Sequence, residues 1–392
     1  MKITDVRVMP VRMPVTEAPY QGTNYNQFQP NQTGRRSPKR PDPILEYVLV
    51  SIDSDAGFTG IGEAQADIGF FGDTVEEVFY CIRDYFGPKV IGLDPFDREH
   101  IASALNWRGN SCARAGIDLA LLDLMGKAAG QPVGALIGGI HHGRLPVSKE
   151  IGGGKPDDMA AFCVELMKHQ NIKAFKAKIG GNPQIDADRL RAMRQAIGPQ
   201  ASLRADANQG YRTAKDAIRF CHLCEKYDVN LELLEQPVGY QNLDGMALIR
   251  RSVEPLIEAD EGCYTLQDAM LLIRHEAVDV LNIKIGKAGG ITNAKKIAAV
   301  AEAAGLSTVV GTALGLGPER AAKLHLASST PTMLPHVEFS ELTLHGALLV
   351  DEDERKYSAP IGEDGCLTVP TGPGLGITLD EEKVAAHALR IG

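Results

Sequence analysis

Lys176 and Lys178, two positions apart in "FKAKIG" (175–180), and Lys284 in "LNIKIG" (281–286) close two apolar runs of similar shape. Between those runs the chain has three others that end in acids: "RADAN" in Asp206, "LLEQP" in Glu235, and "EADE" in Asp260 with Glu261 beside it. Side chains alternate along a strand, so Lys176 shares a direction with Lys178, and Asp206 with Asn208. Three carboxylates brought to one place repel one another unless a cation sits among them. Oxygen ligands without a cysteine or histidine suit Mg²⁺, with Mn²⁺ as the alternative, and Mg²⁺ keeps open positions for a ligand. A lysine beside a divalent cation and a second ammonium is disfavoured in its charged form, which fits it to act as a base near neutral pH. Lysines on both flanks of a metal-held substrate could take a proton from one face and return one to the other. The chemistry that needs this set is removal of the proton next to a carboxylate, because the resulting enediolate gathers charge on two oxygens and a metal must neutralise it. The plainer reading is a ring of salt bridges, which suits any single residue better than six on five consecutive runs.

Such residues need a scaffold that presents strand ends together. From about residue 144, short apolar runs alternate with helix-length amphipathic stretches: "LPVSKEI", "AFKAKIG", "ASLRADAN", "LELLEQP", "EPLIEADE", "VDVLNIKIG", "LSTVVGTA" and "PHVEFSE". Between the second and the seventh the spacing is roughly 25 to 30 residues, enough for one strand, one helix and two loops. Eight such units predict an α/β fold, a TIM-type (β/α) barrel whose chemistry gathers at the C-terminal strand ends. A doubly wound sheet is the alternative, since period alone does not close a barrel. The first 130 residues do not alternate in this way. Strand-like runs at 2–12 and 44–53 and the Gly-rich "GFTGIGEA" precede helical patterns near 73–86, 97–106 and 111–130, which predicts an N-terminal α+β capping domain. The expected division is therefore a capping domain at 1–130, a barrel at 131–360, and a C-terminal segment at 361–392 that packs back toward the cap. Residues at about 15–43 form a polar, Pro-rich stretch too long for an ordinary connection. Arg35 and Arg36, with Lys39 and Arg40, suit a basic lid that meets an anionic substrate, and a solvated loop is the bland reading.

At 392 residues the chain exceeds the roughly 250 to 300 that one core serves. Its 44% hydrophobic and 23% charged content is that of a folded globular protein. No run of about 18 apolar residues offers a membrane span. The opening "MKITDVRVMPVRMP" alternates charged and apolar residues, unlike a secretory signal, which points to the cytoplasm. Seven scattered cysteines, including the lone C-x-x-C pair Cys221 and Cys224, read as reduced thiols. A formal charge of −9 disfavours nucleic acid as a partner.

With "KAK" (176–178), "RADAN" (204–208), "LLEQP" (233–237), "EADE" (258–261), "NIKIGKAGGI" (282–291) and "AGIDLALLDLMGKAAGQPVGALIGG" (115–139), the chain resembles the enolase superfamily nearly end to end. Within it the chain is similar to the mandelate racemase/muconate lactonizing enzyme family, specifically the muconate lactonizing (muconate cycloisomerase) subgroup. The resemblance implies metal ligands at Asp206, Glu235 and Asp260. It also implies acid/base lysines at Lys178 and Lys284, with Lys176 lowering the pKa of Lys178. Mandelate-racemase-like members carry a histidine after the seventh strand, and "STVVGTALG" has none. Muconate-cyclising members carry a glutamate in the following turn, where this chain has Gly315 in "TALGLG", so muconate is disfavoured as substrate. Glu338 in "HVEFSEL" matches the position where amino-acid and dipeptide epimerases hold a substrate ammonium, which suggests an amino or N-alkylated amino acid; a structural salt bridge is the competing role. The expected activity is that of a Mg²⁺-dependent isomerase of a small-molecule carboxylate (racemase, epimerase or cycloisomerase), in a homo-oligomer. A dehydratase of a hydroxy or sugar acid shares the half-reaction. A Schiff-base lyase and a silent metal-binding barrel complete the alternatives.

Overall fold

The computed structural model describes residues 1–14, 44–339, 348–353 and 363–391. Strands β1 (Ile3–Pro14), β2 (Ile44–Ser54) and β3 (Thr59–Ala66) form an antiparallel sheet in that order. The helix Ser111–Ala129 lies on β3 and is buried along nearly its whole length. Its apolar residues are spread around the whole circumference, as a helix enclosed on most sides requires. The approach is close enough that a Cβ at Gly60 or Gly62 would strike the backbone oxygen of Ala120 or Gly116, at 2.0 and 2.1 Å. Asp123, inside this helix, accepts from the backbone N–H groups of Ile61 (2.8 Å) and Leu375 (2.7 Å), and Lys127 pairs with it at 2.7 Å. One buried carboxylate thus ties the N-terminal sheet, the helix and the C-terminal segment together.

Eight parallel strands follow: β4 (Arg144–Ile151), β5 (Ala174–Lys178), β6 (Ser202–Asp206), β7 (Leu233–Glu235), β8 (Leu256–Ala259), β9 (Val280–Ile283), β10 (Ser307–Val310) and β11 (Val337–Phe339). They run in chain order from β4 to β10, and β11 returns to pair with β4. The remaining gap is bridged where Thr308 of β10 donates to Thr332 O (2.9 Å) and accepts from Leu334 N (2.8 Å). This closes the TIM-type barrel and excludes the doubly wound sheet.

Helices alternate with the strands on the outside, their starts fixed by side chains that satisfy free N–H groups. Asn182 caps Pro183–Ile197, and Thr213 and Thr265 form capping boxes with Asp216 and Asp268. The large apolar core lies between this outer layer and the strands. Among the described residues, the barrel interior has a small apolar plug, Leu233, Val280 and Val309 with Leu256 and Leu334. Above it the inward-facing residues are polar or charged. Strand β12 (Cys366–Thr368) pairs antiparallel with β4, and further on Ala388 bridges to Val11 and Leu389 N donates to Pro10 O at 2.8 Å.

Candidate active site

The strands are shorter than the apolar runs that encode them, and their ends carry the charged residues. Lys178, Asp206 and Glu235 are the last residues of β5, β6 and β7, while Asp260 and Lys284 lie one residue beyond β8 and β9. Along the ladders Lys178 is opposite Asp206 and Asp206 opposite Glu235. Parallel pairing therefore delivers these side chains side by side.

Lys178 Nζ lies 2.5 Å from Asp206 Oδ2 and 3.0 Å from Glu150 Oε1. On the far side, Lys284 Nζ lies 2.5 Å from Asp260 Oδ2. Glu235, between them, accepts from Lys176 Nζ at 2.6 Å and from Asn282 Nδ2 at 3.0 Å. Lys176 also reaches Glu338 Oε1 at 2.5 Å. All are buried. Burial works against the Lys284 ammonium, but the carboxylates of Asp260 and Glu235 outweigh it and hold its pKa above the ordinary lysine range. Burial likewise opposes charge on Asp260, and Lys284 and Lys287 overcome it, holding this carboxyl below the usual range. Burial first, and Asp206 next, push Glu235 well upward. Burial with Asp260 and Asp206 raises Glu261 to about 7. Crowded carboxylates that raise one another's pKa, all with hard oxygen donors, form a set that fits a divalent cation such as Mg²⁺.

The convergence of acids differs in one respect from the sequence expectation. Among the described residues, the three carboxylates that lie within 4.8 Å of one another are Glu235, Glu258 and Glu338. Burial and Glu338 raise Glu258 to about 8. Lys176 bridges Glu235 and Glu338. Glu338 itself is only 1% exposed, and its backbone oxygen accepts from Lys323. Asn208 donates to Glu261 Oε1 at 3.3 Å, and its backbone N–H donates to Asp206 Oδ1 at 2.8 Å. Arg35 and Arg36 lie outside the described residues. All seven cysteines are free, with Cys221 and Cys224 buried in one helix.

Two further residues hold this arrangement, Lys287 of "NIKIGKAGGI" and Gln236 of "LLEQP". Lys287 Nζ donates to Asp260 Oδ1 and Asp260 O, both at 2.6 Å. Gln236 Oε1 accepts from the N–H groups of Asp260 and Gly262, both at 3.1 Å. Gln236, Asn208 and Gln209 adopt positive φ of 35°, 40° and 67°. Such backbone is uncommon for residues other than glycine and is sustained here by the surrounding bonds.

The capping domain closes the β9–β10 side. Tyr47 Oη donates to Leu314 O at 2.6 Å and Gln65 Nε2 to Ala313 O at 3.0 Å, while Glu63 accepts from Leu316 N (2.8 Å) and Glu319 N (3.1 Å). Leu314, thus held, has φ of 66°. At Gly315 a Cβ would lie 2.2 Å from Glu319 Oε2, so Glu319 already fills that space.

Comparison with known proteins agrees with this construction. Residues 158–383 match the model described as "Enolase C-terminal domain-like", and residues 30–138 match "Mandelate racemase / muconate lactonizing enzyme, N-terminal domain". The L-Ala-D/L-Glu epimerase of Clostridium acetobutylicum is 34% identical over 84% of this chain and 90% of its own. A chloromuconate cycloisomerase of Cupriavidus pinatubonensis is 33% identical over 87% and 91%. The crystal structure of a dipeptide epimerase from Enterococcus faecalis, complexed with Mg and L-Leu-L-Tyr, superimposes with a TM-score of 0.82 at 30% identity, covering 96% of this chain and all of that one. This chain belongs to the mandelate racemase/muconate lactonizing enzyme family and is an isomerase of the enolase superfamily.

Proposed function

We propose that the protein is a Mg²⁺-dependent racemase or epimerase that removes and returns the proton next to the carboxylate of an amino-acid derivative, with a dipeptide the first class to try. The observation that carries this reading is the pair of ammonium groups, Lys178 on Asp206 and Lys284 on Asp260, each at 2.5 Å and on opposite sides of Glu235. Asp206, Glu235 and Asp260 would hold the cation, which when bound neutralises charge developing on the substrate carboxylate. Inversion then needs one lysine neutral, to take the proton, and the other charged, to deliver one. The two exchange roles according to the hand of the substrate. Asp206 and Asp260 each touch one of these lysines and would hold it toward the substrate.

The amino-acid part of the reading is supported by Glu338 and Glu150, which bring two carboxylates to the β11–β4 side of the site beside Lys176 and Lys178, and by the dipeptide substrates named for relatives. Glu338→Gln is expected to raise KM for a free dipeptide by roughly 10- to 100-fold, the loss of one bond to a charged group, and to leave an N-acetylated dipeptide much less affected. Equal losses of kcat on both substrates would assign Glu338 solely to Lys176. The site's own packing supplies another test. A Cβ at Gly311 would lie 2.1 Å from Asn282 Oδ1 and 2.9 Å from Lys284 Cε. Gly311→Ala is expected to displace Lys284 and lower kcat on the order of a hundredfold; steady-state kinetics at the wild-type rate would contradict a catalytic Lys284. Deuterium uptake at the α-carbon in D₂O tests the reading as a whole. The reading includes residues 1–130 as the cap over the site, 131–360 as its barrel, and a cytoplasmic homo-oligomer as the working form.

A further inference from the structure

The turn that follows β3, "DIGFFG" (67–72), reaches from the capping domain onto the β9 side of the barrel mouth. It is tightly built. Asp67 O accepts from the N–H groups of Phe70, Phe71 and Gly72, and Asp67 Oδ1 from those of Gly69 (2.9 Å) and Phe70 (3.2 Å). Gly72 supplies the left-handed residue (φ 86°) that lets the chain leave this turn. The ring of Phe70 faces Lys284, with Nζ 4.5 Å from its centroid. Phe71 stands edge-on to Phe70 and packs on Gly286, where a Cβ would lie 3.1 Å from its ring. From the barrel side, the Tyr264 hydroxyl donates to Phe70 O and its ring lies beside Phe70 at 6.3 Å. Tyr264 also faces the Lys287 ammonium at 5.6 Å, the same lysine that holds Asp260.

An aromatic face attracts an ammonium and at the same time excludes water from it. We infer that Phe70 is a positioning residue for Lys284: the 67–72 turn, latched by Tyr264, seats the β9-side ammonium against Asp260 and shields it from solvent. The capping domain thereby completes one face of the site through a residue that touches the lysine. The kinetic side of this inference rests on the proposed reading of Lys284 as one of two opposed bases. The shielding side does not.

Two measurements separate those dependencies. Acetylation of the full-length protein by acetic anhydride, followed peptide by peptide in mass, needs no substrate. Phe70→Leu is expected to speed modification of Lys284 about tenfold over wild type while leaving Lys178 unchanged. Phe70→Tyr, which keeps the ring, restores the slow rate, and Tyr264→Phe, which removes only the latch, gives a smaller rise at Lys284. An unchanged Lys284 rate in Phe70→Leu, or equal acceleration of Lys178, overturns the inference, and Tyr264→Phe applies the same criterion should Phe70→Leu fail to fold. The second measurement compares α-deuterium uptake from L-Leu-L-Tyr and from L-Leu-D-Tyr, at the tyrosine α-carbon, with Mg²⁺ present. Phe70→Leu should slow one epimer about tenfold more than the other, whereas an equal loss on both overturns the positioning role. Wild-type enzyme that exchanges neither epimer, combined with selective exposure of Lys284, would sustain the shielding and remove this class of substrate from the reading.

Discussion

Lys178→Ala and Lys284→Ala are each expected to lower the rate of epimer interconversion by roughly 10²- to 10⁴-fold, the usual contribution of a positioned acid or base. The informative result is what survives. Lys178 and Lys284 approach from opposite sides of Glu235, each fixed by its own carboxylate. Removing one leaves the other able to exchange the proton on its own face. Lys178→Ala should therefore still wash deuterium into one epimer, and Lys284→Ala into the other. ¹H NMR of the α-proton in D₂O, run on each epimer separately, reads this directly. Loss of exchange on both faces in either single variant would assign that lysine to binding, and wild-type interconversion in both would end the two-base account.

The second large effect is expected at Asp260. Its two carboxylate oxygens take Lys284 and Lys287 at 2.5 and 2.6 Å, and its backbone N–H is held by Gln236. Asp260→Asn leaves two buried ammonium groups without the carboxylate they share. Breaking a buried pair in this way costs about 3 to 5 kcal/mol, so a clear fall in Tm is expected. Mg²⁺ should stabilise wild type by mass action, by about 2.7 kcal/mol at a hundred times its Kd, and do so far less in Asp260→Asn. Thermal unfolding with and without Mg²⁺ measures both at once. A variant that unfolds with wild-type Tm and keeps the full Mg²⁺ shift would show that Asp260 neither holds these lysines nor contributes to the cation site.

The residues that carry these predictions were legible because each is a charge at the end of an apolar run, where burial of the preceding residues leaves the last one at the barrel mouth. Lys178, Asp206 and Glu235 were read from where their apolar runs stop, and each is the last residue of its strand. The ring closure could not, because β11 has only three residues and the last contacts come from Thr332 and Leu334, outside any strand. The work of Gln236 was hidden for a related reason: it depends on a backbone at positive φ that turns one side chain back to two N–H groups on the next loop. Lys287 sits one turn after Lys284 in a short helix whose existence the motif did not announce. Phe70 and Lys284 are more than two hundred positions apart, and nothing local to either points to the other. Glu338 was left between two roles by its sequence, and the structure pairs it with Lys176 at 2.5 Å.

The most direct test of the central claim is incubation of the wild-type protein with Mg²⁺ in D₂O and L-Ala-L-Glu or L-Leu-L-Tyr, followed by mass and ¹H NMR. The account predicts uptake of a single deuterium at the carbon next to the terminal carboxylate, with accumulation of the other epimer and loss of both on removal of Mg²⁺ by EDTA. Deuterium uptake that persists in EDTA, or substrate trapped on a lysine by borohydride, would contradict it.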